Sequence, residues 1–309
     1  MYIIKFTCPT RGFFSIYMEV VRCIDFAIHN GLDYYVDLSE SQSLYTDALS
    51  QNGNKNIWDY YFKQQLPPEN GQIAQYSSSN YEGNTRRIWH RRHFQKVYNN
   101  AVKKLEYNES VGEVLYKIKS TFPPQTLGVH IRKTDSYTEV PEVPTKYFIN
   151  YVRNITAKKK YTHLFIATDD EAILQIFKEC FSTLTVICNN VTRSTTGKPV
   201  HKNDVENRGF QLGLEALVDT YSLSLCNEVI LSSSNLSYCV LYLNPNINYS
   251  LLDGFTYQKN NFQKKLEKLK DAKYNIRYLI FNNAVLVNMY RKWKFVKKIV
   301  FSFAFKKYI

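Results

Sequence analysis

Thr126-Leu127-Gly128-Val129-His130-Ile131 is a short, nearly all-apolar run, followed directly by Arg132-Lys133-Thr134-Asp135 and, four residues further on, by Glu139. An apolar run of that length suits a strand covered on both faces, as in a parallel sheet. In open α/β sheets ligands bind beyond the carboxyl ends of the strands, so Arg132, Lys133, Asp135 and Glu139 are predicted to project into a cleft. There Arg132 could hold a departing phosphate through a bidentate fork, and Glu139 could take a proton from an attacking hydroxyl. The same charges could instead pair with one another on a surface turn.

Downstream of this stretch, strand and helix patterns alternate. Helices are predicted over Thr145 to Ala157, Asp170 to Phe181 and Arg208 to Leu225, and strands over His163 to Thr168, Leu184 to Cys188 and Glu228 to Leu231. Leu236 to Leu243 is apolar and helix-like. Such alternation implies a parallel, doubly wound sheet. Three strands end in polar clusters: His130 to Asp135, Thr168-Asp169-Asp170, and Ser232-Ser233-Ser234-Asn235. Parallel strands present their carboxyl ends on one side, so the three clusters should converge. Ser233, Ser234 and Asn235 would open the following helix, where backbone N–H groups and the helix dipole favour phosphate, although Ser and Asn are also ordinary N-caps. Asp169 and Asp170 could bind a metal or simply start a helix. No further Asp, Glu or His cluster supplies the remaining ligands, so no essential metal is expected. Asp219, in the otherwise apolar Leu214 to Leu225 segment, needs a partner: a structural hydrogen bond or the edge of a guanine base.

Upstream, Tyr2 to Thr7 reads as a strand, Cys8-Pro9-Thr10-Arg11-Gly12 as a turn, Phe14 to Asn30 as a helix stopped by Gly31, and Asp33 to Leu38 as a second strand. This is the start of a Rossmann-like unit, in which Arg11 and Gly12 would either approach a ligand on the acceptor side or make an ordinary turn. Asn56-Ile57-Trp58-Asp59-Tyr60-Tyr61-Phe62 is an aromatic cluster, either core beneath a loop or a sugar-stacking platform. Phe94 to Thr121 reads as one helical pattern, broken by Phe122-Pro123-Pro124. That break divides the chain into domains 1–122 and 123–288, with a basic tail at 289–309.

The chain's 309 residues suffice for two cores, and its net charge of +13 points to a polyanionic partner. Arg86 to His93 is the densest basic run; its interleaved aromatics would suit nucleic acid, but without a companion motif it reads as a solvated helix face or an anionic-ligand contact, and nucleic acid is not expected as a partner. No G-x-G-x-x-G follows a strand, which disfavours a nicotinamide enzyme. The six cysteines lie mostly in apolar segments with no C-x-x-C pair, and read as buried free thiols. Met1 to Thr7 runs into a strand rather than a signal peptide, so a cytoplasmic location is expected.

The three clusters resemble the peptide motifs of a known family. Gly128 to Asp135, Leu164 to Asp170, and Glu215-Ala216-Leu217-Val218-Asp219 running on to Ser233-Ser234-Asn235-Leu236 are similar to the motifs of the α1,6-, α1,2- and protein O-fucosyltransferases and the rhizobial nodulation fucosyltransferase. The resemblance implies a GT-B fold of two Rossmann-like domains facing each other across a cleft, GDP-fucose as donor, a glycan hydroxyl as acceptor, inversion at the anomeric carbon, and no metal or other cofactor. It assigns Arg132 to the β-phosphate, His130 to the donor pocket, Asp169 and Asp170 to the neighbourhood of the nucleotide, Asp219 to guanine, and Ser234, with Ser233 and Asn235, to phosphate. Lys133 and Asp135 belong to the same donor-binding motif, and Glu139 stands where the α1,6 enzymes place their base. Two departures matter. Lys133 replaces an arginine and loses its planar fork. Ser136 replaces the lysine that pairs with the base, which leaves room for a base from the first domain or for near-direct attack.

In the tail, Arg291, Lys292, Lys294, Lys297, Lys298, Lys306 and Lys307 interleave with Trp293, Phe295, Ile299, Phe301, Phe303 and Phe305. Such a segment suits an interfacial helix on anionic lipid, and a lipid-linked glycan acceptor, or a terminal helix docked on the protein.

Overall fold

The carboxyl ends of two parallel sheets organise the molecule. The structure is a computed structural model that describes residues 2–8, 10–41, 43–47, 55–65, 72–74, 90–134, 141–199 and 208–254. In chain order its elements are β1 (Tyr2–Ile4), α1 (Phe13–His29), β2 (Tyr34–Val36), β3 (Phe62–Lys63), β4 (Gln72–Ala74), α2 (Arg92–Val102), β5 (Glu106–Tyr107) and α3 (Glu109–Thr121). There follow β6 (Thr126–Ile131), α4 (Thr145–Thr156), β7 (His163–Thr168), α5 (Glu171–Cys180), β8 (Thr185–Ile187), α6 (Gly209–Leu225), β9 (Glu228–Ser232), α7 (Asn235–Leu243) and β10 (Asn248–Leu252). Among the described residues, none of the helices is long and apolar enough to cross a membrane.

The first sheet is parallel with order β2-β1-β4. The second is parallel throughout, with order β10-β9-β6-β7-β8. Numbered within this half, that is the doubly wound 3-2-1-4-5 order, whose topological switch point lies between β6 and β9. The strand fully buried on both faces is β6, as the apolar run requires. Its odd positions Leu127, Val129 and Ile131 pack with Phe148 and Val152 of α4 and Phe177 of α5. On the other face, Phe165 and Ala167 of β7 and Val229 and Leu231 of β9 pack with Leu223 of α6 and Val240 of α7.

The apolar packing does not stop at Phe122-Pro123-Pro124. One cluster joins Tyr17 and Val21 of α1, the aromatic segment Trp58, Tyr61 and Phe62, and Leu217, Tyr238 and Tyr242 of α6 and α7. The aromatic segment is therefore core and not a sugar platform: Tyr61 and Phe62 are each 1 % exposed. Met1–His90 and Phe94–Tyr257 form one compact unit. A second unit, Arg91–His93 with Gln258–Ile309, contains the tail 289–309 and lies almost wholly outside the described residues.

Close backbone approach joins α6 to the first half. Asp47 accepts from the Gly209 and Phe210 N–H groups at 2.5 and 3.2 Å, capping α6 from a distant segment. Tyr61 donates to the Phe210 carbonyl at 3.0 Å and stacks on its ring at 5.4 Å. A Cβ at Gly213 would stand 2.1 Å from the Tyr61 hydroxyl and 3.0 Å from Phe13. Tyr61 is locked by its own contacts, so Gly213→Ala is expected to lower stability by about 1–3 kcal/mol through overpacking, read as a fall in Tm.

One expectation is corrected. The single helical pattern over Phe94 to Thr121 is two helices, because Asn108 accepts from the Val111 N–H and starts α3 anew after β5 pairs with β3. Strands β3, β4, β5 and β10 have no counterpart in the sequence reading; β10 is an edge strand that starts with exposed Asn248 and half-buried Tyr249 and Ser250 and carries no alternating pattern.

Candidate active site

Positions His130 and Arg132 leave β6 at the switch point, beside the end of β9. The Arg132 N–H donates to Ser232 Oγ across that gap at 3.2 Å. Asp169, at the end of β7, accepts from the Lys133 N–H at 2.8 Å, the Thr134 N–H at 3.3 Å and the Thr134 hydroxyl at 2.7 Å. The carboxylate thus clamps the turn that carries Arg132. Asp170 caps α5, accepting from the Ala172 and Ile173 N–H groups. The Lys133 ammonium pairs with Glu142.

On the other side of the gap, Ser234 caps α7 by accepting from the Ser237 N–H at 3.2 Å. Ser233 shares a hydrogen bond of 2.6 Å with the Tyr238 hydroxyl. The buried Asn235 Oδ1 finds no partner among the described residues. The N-terminus of α7 therefore opens beside Arg132, and Arg132 and Ser233 line a shared hollow with Glu142.

A second cavity, of about 140 Å³, adjoins Arg132 and is bounded by His130, Asp169, Asp219, Glu215 and Tyr45. Its apolar walls are Val191, Leu212, Ala216 and Leu236. Apolar walls closed by carboxylates suit a planar heterocycle that presents N–H donors. Asp219 is 7 % exposed, and Asn189 donates to its Oδ1 at 2.8 Å. Its other oxygen makes no hydrogen bond among the described residues. Burial raises the Asp219 carboxyl to about 7, against the opposing hydrogen bond from Asn189 and the charge of Arg193. His130 is held down to about 3, first by burial and then by Arg132, so its ring is neutral.

Residues separated along the chain by nearly ninety positions, His130, Arg132, Asp169 and Asp219, thus share one cavity. Asp135 and Glu139 lie outside the described residues. Arg11 does not face this cavity: its guanidinium donates to Ser15 Oγ and the Ser15 carbonyl, and pairs with the buried Glu19 at 3.2 Å. Gly12 takes the N-cap position of α1 at φ −66, an ordinary extended conformation, with nothing within 4 Å of an added Cβ. Among the described residues, no group of three His, Cys, Asp or Glu side chains comes together as a metal-ligand set. Tyr45 and Asn189 were not anticipated, and Glu215 stood in the third motif without a role. Asn189 follows β8, so the strand-end rule that selects the other clusters also points to it; Tyr45 lies in a polar segment that carries no signal.

No family model and no curated protein matches this chain. Solved structures do. The fold is that of the GT-B fucosyltransferases. The NodZ α-1,6-fucosyltransferase co-crystallised with GDP aligns with a TM-score of 0.51 at 13% identity, over 79% of this chain and 92% of that one. NodZ soaked with GDP-fucose aligns with a TM-score of 0.51 at 14% identity, over 79% and 92%. NodZ from Bradyrhizobium gives 0.50 at 14%, over 79% and 93%.

Proposed function

We propose that this chain is an inverting, metal-independent glycosyltransferase that moves L-fucose from GDP-fucose to a hydroxyl of a glycan acceptor. The observation that carries the reading is the convergence of Arg132, His130 and Asp219 on one cavity at the switch point of a sheet whose fold matches NodZ. Guanine would lie between the apolar walls with its N1–H and N2–H₂ edge on Asp219. The diphosphate would then extend toward Arg132 and the N-terminus of α7. As the sugar departs, negative charge grows on the diphosphate and positive charge on the anomeric carbon. A fixed guanidinium and a helix N-terminus stabilise the first of these more in the transition state than in the bound donor.

The Asp169 clamp gives this site its rigidity. By holding the Lys133 and Thr134 backbone, it keeps Arg132 aimed without needing to touch the ligand. Glu139 is the proposed base, and the basic tail 289–309 the proposed contact with an anionic membrane and a lipid-linked acceptor; neither lies in the described residues.

A thermal-shift panel of GDP, UDP, CDP and NAD tests the donor. Selective stabilisation by GDP is expected, about 2.7 kcal/mol at a hundredfold excess over Kd. A larger shift with UDP or CDP would move the reading to another nucleotide sugar, and no shift with any of them would remove the nucleotide site.

A further inference from the structure

The hydrogen bonds around Ser237 determine where a proton sits on His130. Ser237, in the first turn of α7, is 0 % exposed. Its hydroxyl carries one proton, and the Ser232 carbonyl oxygen at 2.6 Å can only accept, so the proton goes there. The Ser234 hydroxyl donates to Ser237 Oγ at 3.2 Å. His130 Nδ1 lies 2.8 Å from Ser237 Oγ. With the Ser237 proton already used, a lone pair on Nδ1 would face a lone pair on oxygen, so Nδ1 must carry the hydrogen. Ser232 Oγ, at 3.2 Å from Nδ1, already accepts from the Arg132 N–H and can accept from Nδ1–H as well.

A neutral ring with its hydrogen on Nδ1 has a bare lone pair on Nε2. That atom makes no hydrogen bond among the described residues, and His130 lines the cavity beside Arg132. A lone pair repels phosphate oxygen and attracts a hydroxyl. We propose that Ser237 is a positioning residue that fixes His130 in the Nδ1–H form, so that Nε2 accepts a hydrogen bond from a hydroxyl of the bound ligand, on its ribose or its donor sugar. The ligand half of this proposal rests on the nucleotide-sugar reading; the tautomer half does not. The low proton affinity imposed on the ring by burial keeps the lone pair available across the neutral range.

Long-range ¹H–¹⁵N correlation spectra of the full chain, with calorimetric titration of GDP, 2′-deoxy-GDP, 3′-deoxy-GDP and GDP-fucose, test it. The wild type is expected to show His130 as a single Nδ1–H form. In Ser237→Ala the Nε2–H form should appear and affinity should fall about tenfold, the worth of one hydrogen bond; Ser237→Thr should restore both. A loss seen with GDP but not with one deoxynucleotide locates the hydroxyl on the ribose, and a loss confined to GDP-fucose locates it on the sugar. An Nε2–H form in the wild type, an unchanged affinity in Ser237→Ala, or an equal loss for GDP and both deoxynucleotides overturns the proposal. If Ser237→Ala does not fold, the wild-type spectrum and the wild-type affinities for the same four ligands decide it. If the wild type binds none of the four, the nucleotide-sugar reading fails on its own, while the spectrum still decides the tautomer.

Discussion

Arg132→Ala is expected to reduce release of GDP from GDP-fucose, measured with a panel of oligosaccharide acceptors, by about 10²- to 10³-fold while the protein keeps its fold. The backbone N–H of Arg132 anchors the turn to Ser232 Oγ, and Asp169 holds the next two residues, so truncating the side chain leaves the turn in place. The loss should fall mainly on turnover and much less on GDP affinity, because in the proposed mechanism the guanidinium would meet more negative charge in the transition state than in the bound donor. Arg132→Lys should recover only part of the rate, since an ammonium supplies charge without the planar fork. A variant that turns over donor at near the wild-type rate would remove Arg132 from the mechanism.

The strands and helices of the second half were legible because their apolar period is long and their ends are polar. His163–Thr168 and Thr126–Ile131 are observed with the bounds the pattern predicts. What escaped were elements held by tertiary contacts instead of period, such as β5, which exists because Phe62 and Tyr107 pair across a two-residue ribbon. In the candidate site, residue type pointed to strand ends that the structure brings together, but not to the partners each side chain takes. Asp169 lines the cavity, yet its carboxylate is already engaged by the turn it holds, and Asp170 is engaged as a cap. Lys133 is paired with Glu142 and Arg11 with Glu19, partners nine and eight residues away that no motif specifies. Ser237 drew no notice because a serine inside an apolar helix carries no pattern. Its role depends on the Ser232 carbonyl and on His130, more than a hundred residues away along the chain.

The charge on Asp219 is expected to give GDP-fucose binding and folding stability opposite pH dependences. Its carboxyl is raised from 3.8 to about 7, chiefly by burial. From about 4 to about 7 the folded protein therefore retains a proton that the unfolded chain has released. In that window this group makes stability fall as pH rises, with no further change once both states are ionised. With guanine held as proposed, binding should run the other way, because only an ionised carboxylate can accept both guanine N–H groups. With a value of about 7, the ionised fraction drops about tenfold between pH 8 and pH 6, so GDP-fucose should bind about tenfold more weakly at pH 6. GDP-fucose is the ligand to use, since its esterified diphosphate does not titrate in that range. Asp219→Asn should abolish this slope and weaken binding by about 10²-fold or more, the worth of two charge-assisted hydrogen bonds. The same substitution removes a buried charge, so the variant should melt no lower than the wild type at pH 8. Weaker binding joined to undiminished stability is a combination that damage to the fold does not produce. A GDP-fucose affinity that is flat from pH 6 to pH 8, and equal in the two proteins, would take Asp219 out of the nucleotide site.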